Sequence, residues 1–140
     1  MFGEKPQAVS ILKIENRVAF ECLPELLMTA AKRGRIAVMV ARGDLGVEIG
    51  FERLAEVQEE ILWLTEAAYL PVIWATQVLE SLAKDGLPSR AEVTDAAMSI
   101  RSECVMLNKG PHVGEAIRFL TDVSRWMGRH ATKTLPRIGG

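Results

Sequence analysis

The 140-residue sequence predicts an α/β fold built on four parallel strands, and three observations point to it. Four short apolar runs begin at residues 8, 36, 71 and 104, at intervals of 28, 35 and 33. None alternates strictly between apolar and polar residues, the pattern of strands covered on both faces. A segment of helical length follows each run, as parallel strands require, because their connections must cross back over the sheet.

The first run is Ala8-Val9-Ser10-Ile11-Leu12-Lys13-Ile14. The helix after it is placed near Pro24, with proline in the first turn where its missing N–H costs nothing, and Gly34 stops it. The second run, Ile36-Ala37-Val38-Met39-Val40, leads to a helix whose inner face is Leu54, Val57, Ile61, Leu64 and Ala68, stepping by 3, 4, 3 and 4. The third run is Pro71-Val72-Ile73-Trp74-Ala75. Its helix starts at Ser89, where Ser89-Arg90-Ala91-Glu92 has the form of a capping box, and turns Val93, Ala96, Ala97 and Ile100 inward. The fourth run, Cys104-Val105-Met106-Leu107, precedes a helix marked by Ala116, Leu120, Val123 and Met127. The tail from Arg129 to Gly140 is basic, ends in Gly-Gly and reads as a flexible extension. Two architectures fit four consecutive strand–helix units: an open doubly wound sheet, or part of an eight-stranded β/α barrel. A whole barrel takes roughly 250 residues, so this chain supplies about half of one.

Composition narrows the function classes. Hydrophobic residues make up 49% and charged residues 25%, which suits a packed globular domain and excludes wholesale disorder. With 17 Lys+Arg against 18 Asp+Glu, the net charge of −1 argues against a nucleic-acid binder. No apolar run is long enough to cross a bilayer and the first residues do not resemble a secretion signal, so a cytoplasmic protein is expected. Cys22 and Cys104 are too few for a disulfide framework and read as small core residues with reduced thiols.

In strand–helix folds the chemistry sits where strands end. Those positions hold Lys13, Glu15 and Asn16 after the first run, and Arg42, Gly43, Asp44 and Glu48 after the second. The third contributes Thr76 and Gln77, and the fourth Asn108 and Lys109. One or two carboxylates with sites left to water and substrate are what magnesium prefers. An ammonium beside them would stabilise a transferring phosphoryl group or an enolate.

Three segments carry a resemblance. Lys13-Ile14-Glu15-Asn16, the block from Met39 through Arg42-Gly43-Asp44-Leu45-Gly46 to Glu48, and Pro71-Val72-Ile73-Trp74-Ala75-Thr76-Gln77-Val78-Leu79-Glu80-Ser81 resemble pyruvate kinase, with Ser89-Arg90-Ala91-Glu92-Val93-Thr94-Asp95 continuing the likeness in order. The likeness covers about residues 8 to 127 and implies a partial TIM barrel over residues 1–128, equivalent to the fifth to eighth strands of the family's barrel. By resemblance, Glu15 and Asp44 hold a divalent metal, Mg2+ or Mn2+, bridging the oxygens of phosphoenolpyruvate. Lys13 neutralises the phosphoryl group between the enol oxygen and ADP. The backbone N–H groups of Gly43 and Asp44 cradle the substrate carboxylate, as a turn opening a helix can. Thr76 donates to the same carboxylate near the side from which the enolate is protonated.

The chain also departs from the family. The first four strands, the inserted lid and the C-terminal domain lie outside the likeness, and with them most of the nucleotide and K+ sites. The family's Ser-Gly-Glu-Thr after the last strand becomes Asn108-Lys109-Gly110-Pro111, which removes a hydroxyl and a carboxylate and adds an amine. Lys109 is therefore expected to add positive charge near the phosphate and partly replace the cation.

Plainer readings stand beside these. Glu15 and Asp44 read without the motif as solvated carboxylates, Lys13 as a strand-flanking lysine, and Thr76 as a helix cap. Arg42-Gly43-Asp44 spells an adhesion tripeptide but falls at a strand end. His112 and His130 lack partners at metal-ligand spacing and read as surface residues, and Trp63, Trp74 and Trp126 as packing anchors. Two open edges on a four-stranded sheet predict self-association into a homo-oligomer. Three functions follow: pyruvate kinase chemistry converting phosphoenolpyruvate and ADP to pyruvate and ATP, a magnesium-enolate lyase or aldolase needing no nucleotide, or a non-catalytic assembly module.

Overall fold

A computed structural model describes residues 8–134, with side chains through Arg129. Four strands alternate with helices: β1 (Ser10–Ile14), β2 (Ile36–Ala41), β3 (Val72–Val78) and β4 (Cys104–Leu107) form one sheet in the order β1-β2-β3-β4. β1 runs parallel to β2, with Ser10 opposite Ile36 and Ile14 opposite Val40. β2 runs parallel to β3, from Val38 opposite Val72 to Ala41 opposite Ala75. The α/β class and the parallel strands are as the sequence predicts, and a partial barrel accommodates them. No helix of the described residues is long and apolar enough to cross a membrane.

The chain divides into two compact units. The first holds the chain through Ala75 together with Ser102–Cys104. Its core is Ile14, Val38, Val40, Val72 and Trp74 from the strands, with Leu23 and Leu27 from α2 (Leu23–Ala31), Leu45 and Ile49 from α3 (Arg42–Ile49), and Val57, Ile61 and Leu62 from α4 (Leu54–Ala67). Each such side chain contributes roughly 1.5–3 kcal/mol when buried. α4 turns a wider face inward than its apolar stripe predicts, since Gln58 and Thr65 are buried too. Thr65 is satisfied by donating its hydroxyl to the carbonyls of Ile61 and Leu62. The helix ends in a complete Schellman motif, with Tyr69 N–H donating to Glu66 O and Leu70 N–H to Thr65 O.

Two features of this unit differ from expectation. A short helix, α1 (Arg17–Glu21), precedes the one that begins near Pro24, and Asn16 caps it by accepting the N–H of Ala19 at 2.8 Å. Trp63 is 63% exposed and is no packing anchor, because it lies off the buried face of α4.

The second unit holds Thr76–Arg101 and the chain from Val105 on. Val78, Leu79, Leu82, Ala83, Ala96 and Ala116 are buried there, contributed by β3, α5 (Glu80–Asp85), α6 (Arg90–Ser99) and α7 (Val113–Thr134). The capping box of α6 forms in full: Ser89 Oγ accepts the N–H of Glu92 at 3.2 Å, and Glu92 accepts the N–H of Ser89 at 2.9 Å. The other Glu92 oxygen accepts the N–H of Ser81 at 2.5 Å, which ties α6 to α5. Val93 is more exposed than predicted, its place on the inner face taken by Ser99.

Cys104 is exposed and Cys22 half-buried, so Cys104 is not a core residue; its strand is short and alternates between exposed and half-buried positions. Trp126 is exposed, its ring covered only by the Arg129 guanidinium 4.9 Å away. α7 runs on to Thr134; the remaining tail and the His130 side chain lie outside the described residues.

Candidate functional site

Four of the residues singled out from the sequence lie in the first unit, at the outgoing ends of β1 and β2. Ile14 closes β1 with its side chain buried, and the strand's alternation sends Lys13 and Glu15 together to the opposite face. Their side chains form an ion pair, Lys13 Nζ to Glu15 Oε2 at 2.8 Å, with both about half-exposed. Immediately after Glu15 the cap at Asn16 turns the chain into α1, which keeps the strand end short.

β2 passes into α3 without a loop. Ala41 is the last strand residue and Arg42 the first of the helix, so Gly43 and Asp44 occupy its opening turn. The cap position, Ala41, has no side chain able to accept a hydrogen bond from that turn. An acidic residue is favoured there by the helix dipole, and the turn's N–H groups point toward any anion placed before it. Gly43 is half-buried and Asp44 exposed.

The Lys13 ammonium is held above its ordinary value of 10.5, chiefly by the hydrogen bond it donates to Glu15, then by the charge of Glu15 and, least, by that of Asp44. The pairing of Ile14 with Val40 sets the ends of β1 and β2 side by side, so Glu15 and the opening turn of α3 leave neighbouring strands. No cluster of three or more His, Cys, Asp or Glu suited to a metal occurs among the described residues. The donor set is two carboxylates, hard oxygen ligands that suit Mg2+ or Mn2+ when water and substrate complete the shell.

Two residues of the predicted rim have anchoring positions instead. Glu48 is the penultimate residue of α3, where its carboxylate accepts the N–H of Arg17 at 3.4 Å and its carbonyl accepts from the Arg17 guanidinium at 3.3 Å. Arg42 is 8% exposed; its Nε donates to Ala75 O at 2.8 Å and its guanidinium stacks 4.8 Å from the Trp74 ring. From the sequence Arg42 is named only as a strand-end residue, with no sign of its burial. The signal that could have shown it is the strand register: Val40 opposite Trp74 and Ala41 opposite Ala75 put the next residue beside β3, which runs on to Val78.

Thr76 and Lys109 belong to the second unit. Thr76 is half-buried and lies within β3, which continues to Val78 rather than ending at Ala75. It is not a helix cap, because the cap of α5 is Leu79. Gln77 and Leu79 both take left-handed backbone conformations, with φ of 58° and 52°, a strained exit that bulky side chains adopt only where the surroundings demand it. Gln77 donates to Glu80 at 3.1 Å. Lys109 is exposed and Asn108 half-buried. Gly110, the next residue, lies against the backbone of Ala83, and the N–H of His112 donates to Ala83 O at 2.9 Å. His112 is half-buried and pairs with Glu115 at 3.2 Å, consistent with a structural rather than a metal-binding position.

Comparison with known proteins gives the family. A family model described as pyruvate kinase, barrel domain, matches residues 1–115. Pyruvate kinase of Thermotoga maritima is 42% identical over 121 residues, covering 82% of this chain and 25% of that protein. The Dictyostelium discoideum enzyme is 39% identical over 132 residues, covering 89% and 25%, and that of Hypocrea jecorina 37% identical over 141 residues, covering 96% and 24%. The chain thus spans about a quarter of the length of these relatives. A barrel-domain model that matches residues 1–115, and relatives 37–42% identical over most of the chain, show that it belongs to the pyruvate kinase family.

Proposed function

We propose that this chain supplies the metal- and phosphoenolpyruvate-binding part of a pyruvate kinase, the segment equivalent to strands five to eight of the barrel. The observation that supports this reading is the Lys13–Glu15 ion pair at the end of β1, beside the strand whose end opens α3 at Gly43 and Asp44. In the reaction the bond from phosphorus to the enol oxygen breaks, a bond from phosphorus to a terminal oxygen of ADP forms, and the enolate left behind takes a proton at carbon to give pyruvate. Glu15 and Asp44 would hold Mg2+ or Mn2+, which supplies positive charge to the oxygens of the bound substrate. The Lys13–Glu15 pair is half-exposed and so weakly held. Its ammonium is free to turn to the phosphoryl group while Glu15 turns to the cation. The opening turn of α3 receives the substrate carboxylate on the amides of Gly43 and Asp44, and its dipole favours the anion.

Thr76 and Lys109 enter this reading through the sequence motif. Thr76 is assigned the carboxylate hydrogen bond and the side of protonation. Lys109 is assigned a positive charge that stands in part for the family's K+. ADP, the cytoplasmic setting and association through the sheet edges complete the proposal. Half-exposed Val9 and Ile11, beside and within edge strand β1, support the last of these.

Adding oxalate, a mimic of pyruvate enolate, to the chain with and without Mg2+ tests the assignment, with tryptophan fluorescence as the signal. The buried Trp74 lies directly beneath Arg42 and reports on the opening turn of α3. A Mg2+-dependent change supports the proposal; no binding of oxalate at any Mg2+ concentration rejects it. A coupled assay with phosphoenolpyruvate and ADP then asks whether the chain turns over unaided.

A further inference from the structure

Arg42 presents a physical puzzle. An arginine only 8% exposed loses most of its hydration, and in such places an apolar side chain of similar volume is often as stable or more so. Here the charge belongs to the first residue of the turn that carries Gly43 and Asp44, and it meets a main-chain carbonyl at 2.8 Å and an indole ring at 4.8 Å. Both partners come from the middle of β3, so the first residue of α3 is fastened to the neighbouring strand. A planar fork bonded in one direction and stacked in another has little freedom to shift.

We infer that Arg42 is a positioning residue, whose buried guanidinium fixes the opening turn of α3 against β3 and thereby holds the Gly43 amide and the Asp44 carboxylate in place for ligand and metal. The part concerning ligand and metal rests on the function proposed above; the part concerning the turn does not. Supporting groups behind a metal ligand commonly change affinity by roughly 10–100-fold when removed. Methionine fills a similar volume without charge or fork, so Arg42→Met separates affinity from stability.

Two measurements on the full chain test the inference. In the first, oxalate is titrated at saturating Mg2+ into the wild type, Arg42→Met and Arg42→Lys at a temperature where all are folded. The expected result is a loss of about tenfold or more for Arg42→Met, with Arg42→Lys between it and the wild type. Wild-type affinity in a folded Arg42→Met, with only the melting temperature changed, overturns the inference. Should Arg42→Met not fold, Arg42→Lys decides by the same criterion. The second measurement needs no ligand: amide hydrogen exchange at Gly43 and Asp44 should quicken in the variant while the amides pairing β1 with β2 keep their rates. Unchanged exchange at the turn overturns the inference as well. If the wild type binds no oxalate, the proposed function fails, and the exchange experiment still decides the role of Arg42.

Discussion

The same change, glycine to alanine, should have opposite effects at two places in the second unit. At Gly110 a Cβ would enter the van der Waals shell of the Ala83 carbonyl oxygen and lie 2.7 Å from its carbon and 3.1 Å from the nitrogen of Lys84. These are main-chain atoms of α5 and cannot rotate aside. Relief requires the loop to lift, which stretches the bond from His112 N–H to Ala83 O. Overpacking of this kind costs about 1–3 kcal/mol, and loss of the hydrogen bond about 1 kcal/mol more, so Gly110→Ala should cost roughly 3 kcal/mol. At about 3 °C per kcal/mol for a chain of this size, the midpoint falls by roughly 10 °C. At Gly128, within α7, a Cβ meets nothing within 4 Å. Alanine there gains up to about 1 kcal/mol of helix propensity. Urea and thermal unfolding of the two variants beside the wild type provide the assay. A Gly110→Ala midpoint within a degree of the wild type, or a fall for both variants, would refute the packing argument.

Other expectations concern single elements. Tyr69 holds the left-handed position of the Schellman motif, with φ of 56° and its side chain 95% exposed, so Tyr69→Gly should raise stability by about 1 kcal/mol in urea titration. Glu92→Ala removes the acceptor for the N–H groups of both Ser81 and Ser89 and should lower stability by about 2–3 kcal/mol, whereas Glu92→Gln, which retains an oxygen, loses less. Glu80 is held below its ordinary value of 4.5, chiefly by its hydrogen bond from Lys84. Its contribution is therefore present above 4.5 and lost as pH falls through the lower folded value, and Lys84→Met should bring its carboxyl titration, followed by NMR, back up toward 4.5. Lys13, raised by Glu15, behaves oppositely: the pair's contribution is complete below 10.5 and disappears as pH rises through the higher folded value.

Patterns that one strand or one helix can express on its own were readable in the sequence. The apolar runs located all four strands, and the Ser89–Glu92 spacing located a capping box that forms with both of its bonds. Bounds were less legible. β1 starts two residues late because Ala8 and Val9 lie outside the ladder, and β3 runs on through Thr76, Gln77 and Val78 past Ala75, where its pairing with β2 ends, although Gln77 turns left-handed. α1 escaped notice since five residues show no period; its one sign was the asparagine before it. Burial was least legible, for it depends on what covers a residue. Trp74 and Trp63 are the same amino acid, yet one is wholly buried and the other faces solvent. Arg42 is the converse case, a charged residue drawn inward by a carbonyl and a ring that are distant in sequence. Lys13 and Glu15 were legible as neighbours because residues two apart at a strand end share a face; the buried contacts of Arg42 were not.

Calorimetric titration of oxalate into the wild-type chain, Glu15→Gln and Asp44→Asn, each with and without Mg2+, tests the joint role of the two acids most directly. The account predicts that the wild type takes up oxalate only with Mg2+ and that either substitution alone removes most of that uptake. Binding that ignores Mg2+, or that survives unchanged in one of the two variants, would contradict a single cation shared between the ends of β1 and β2.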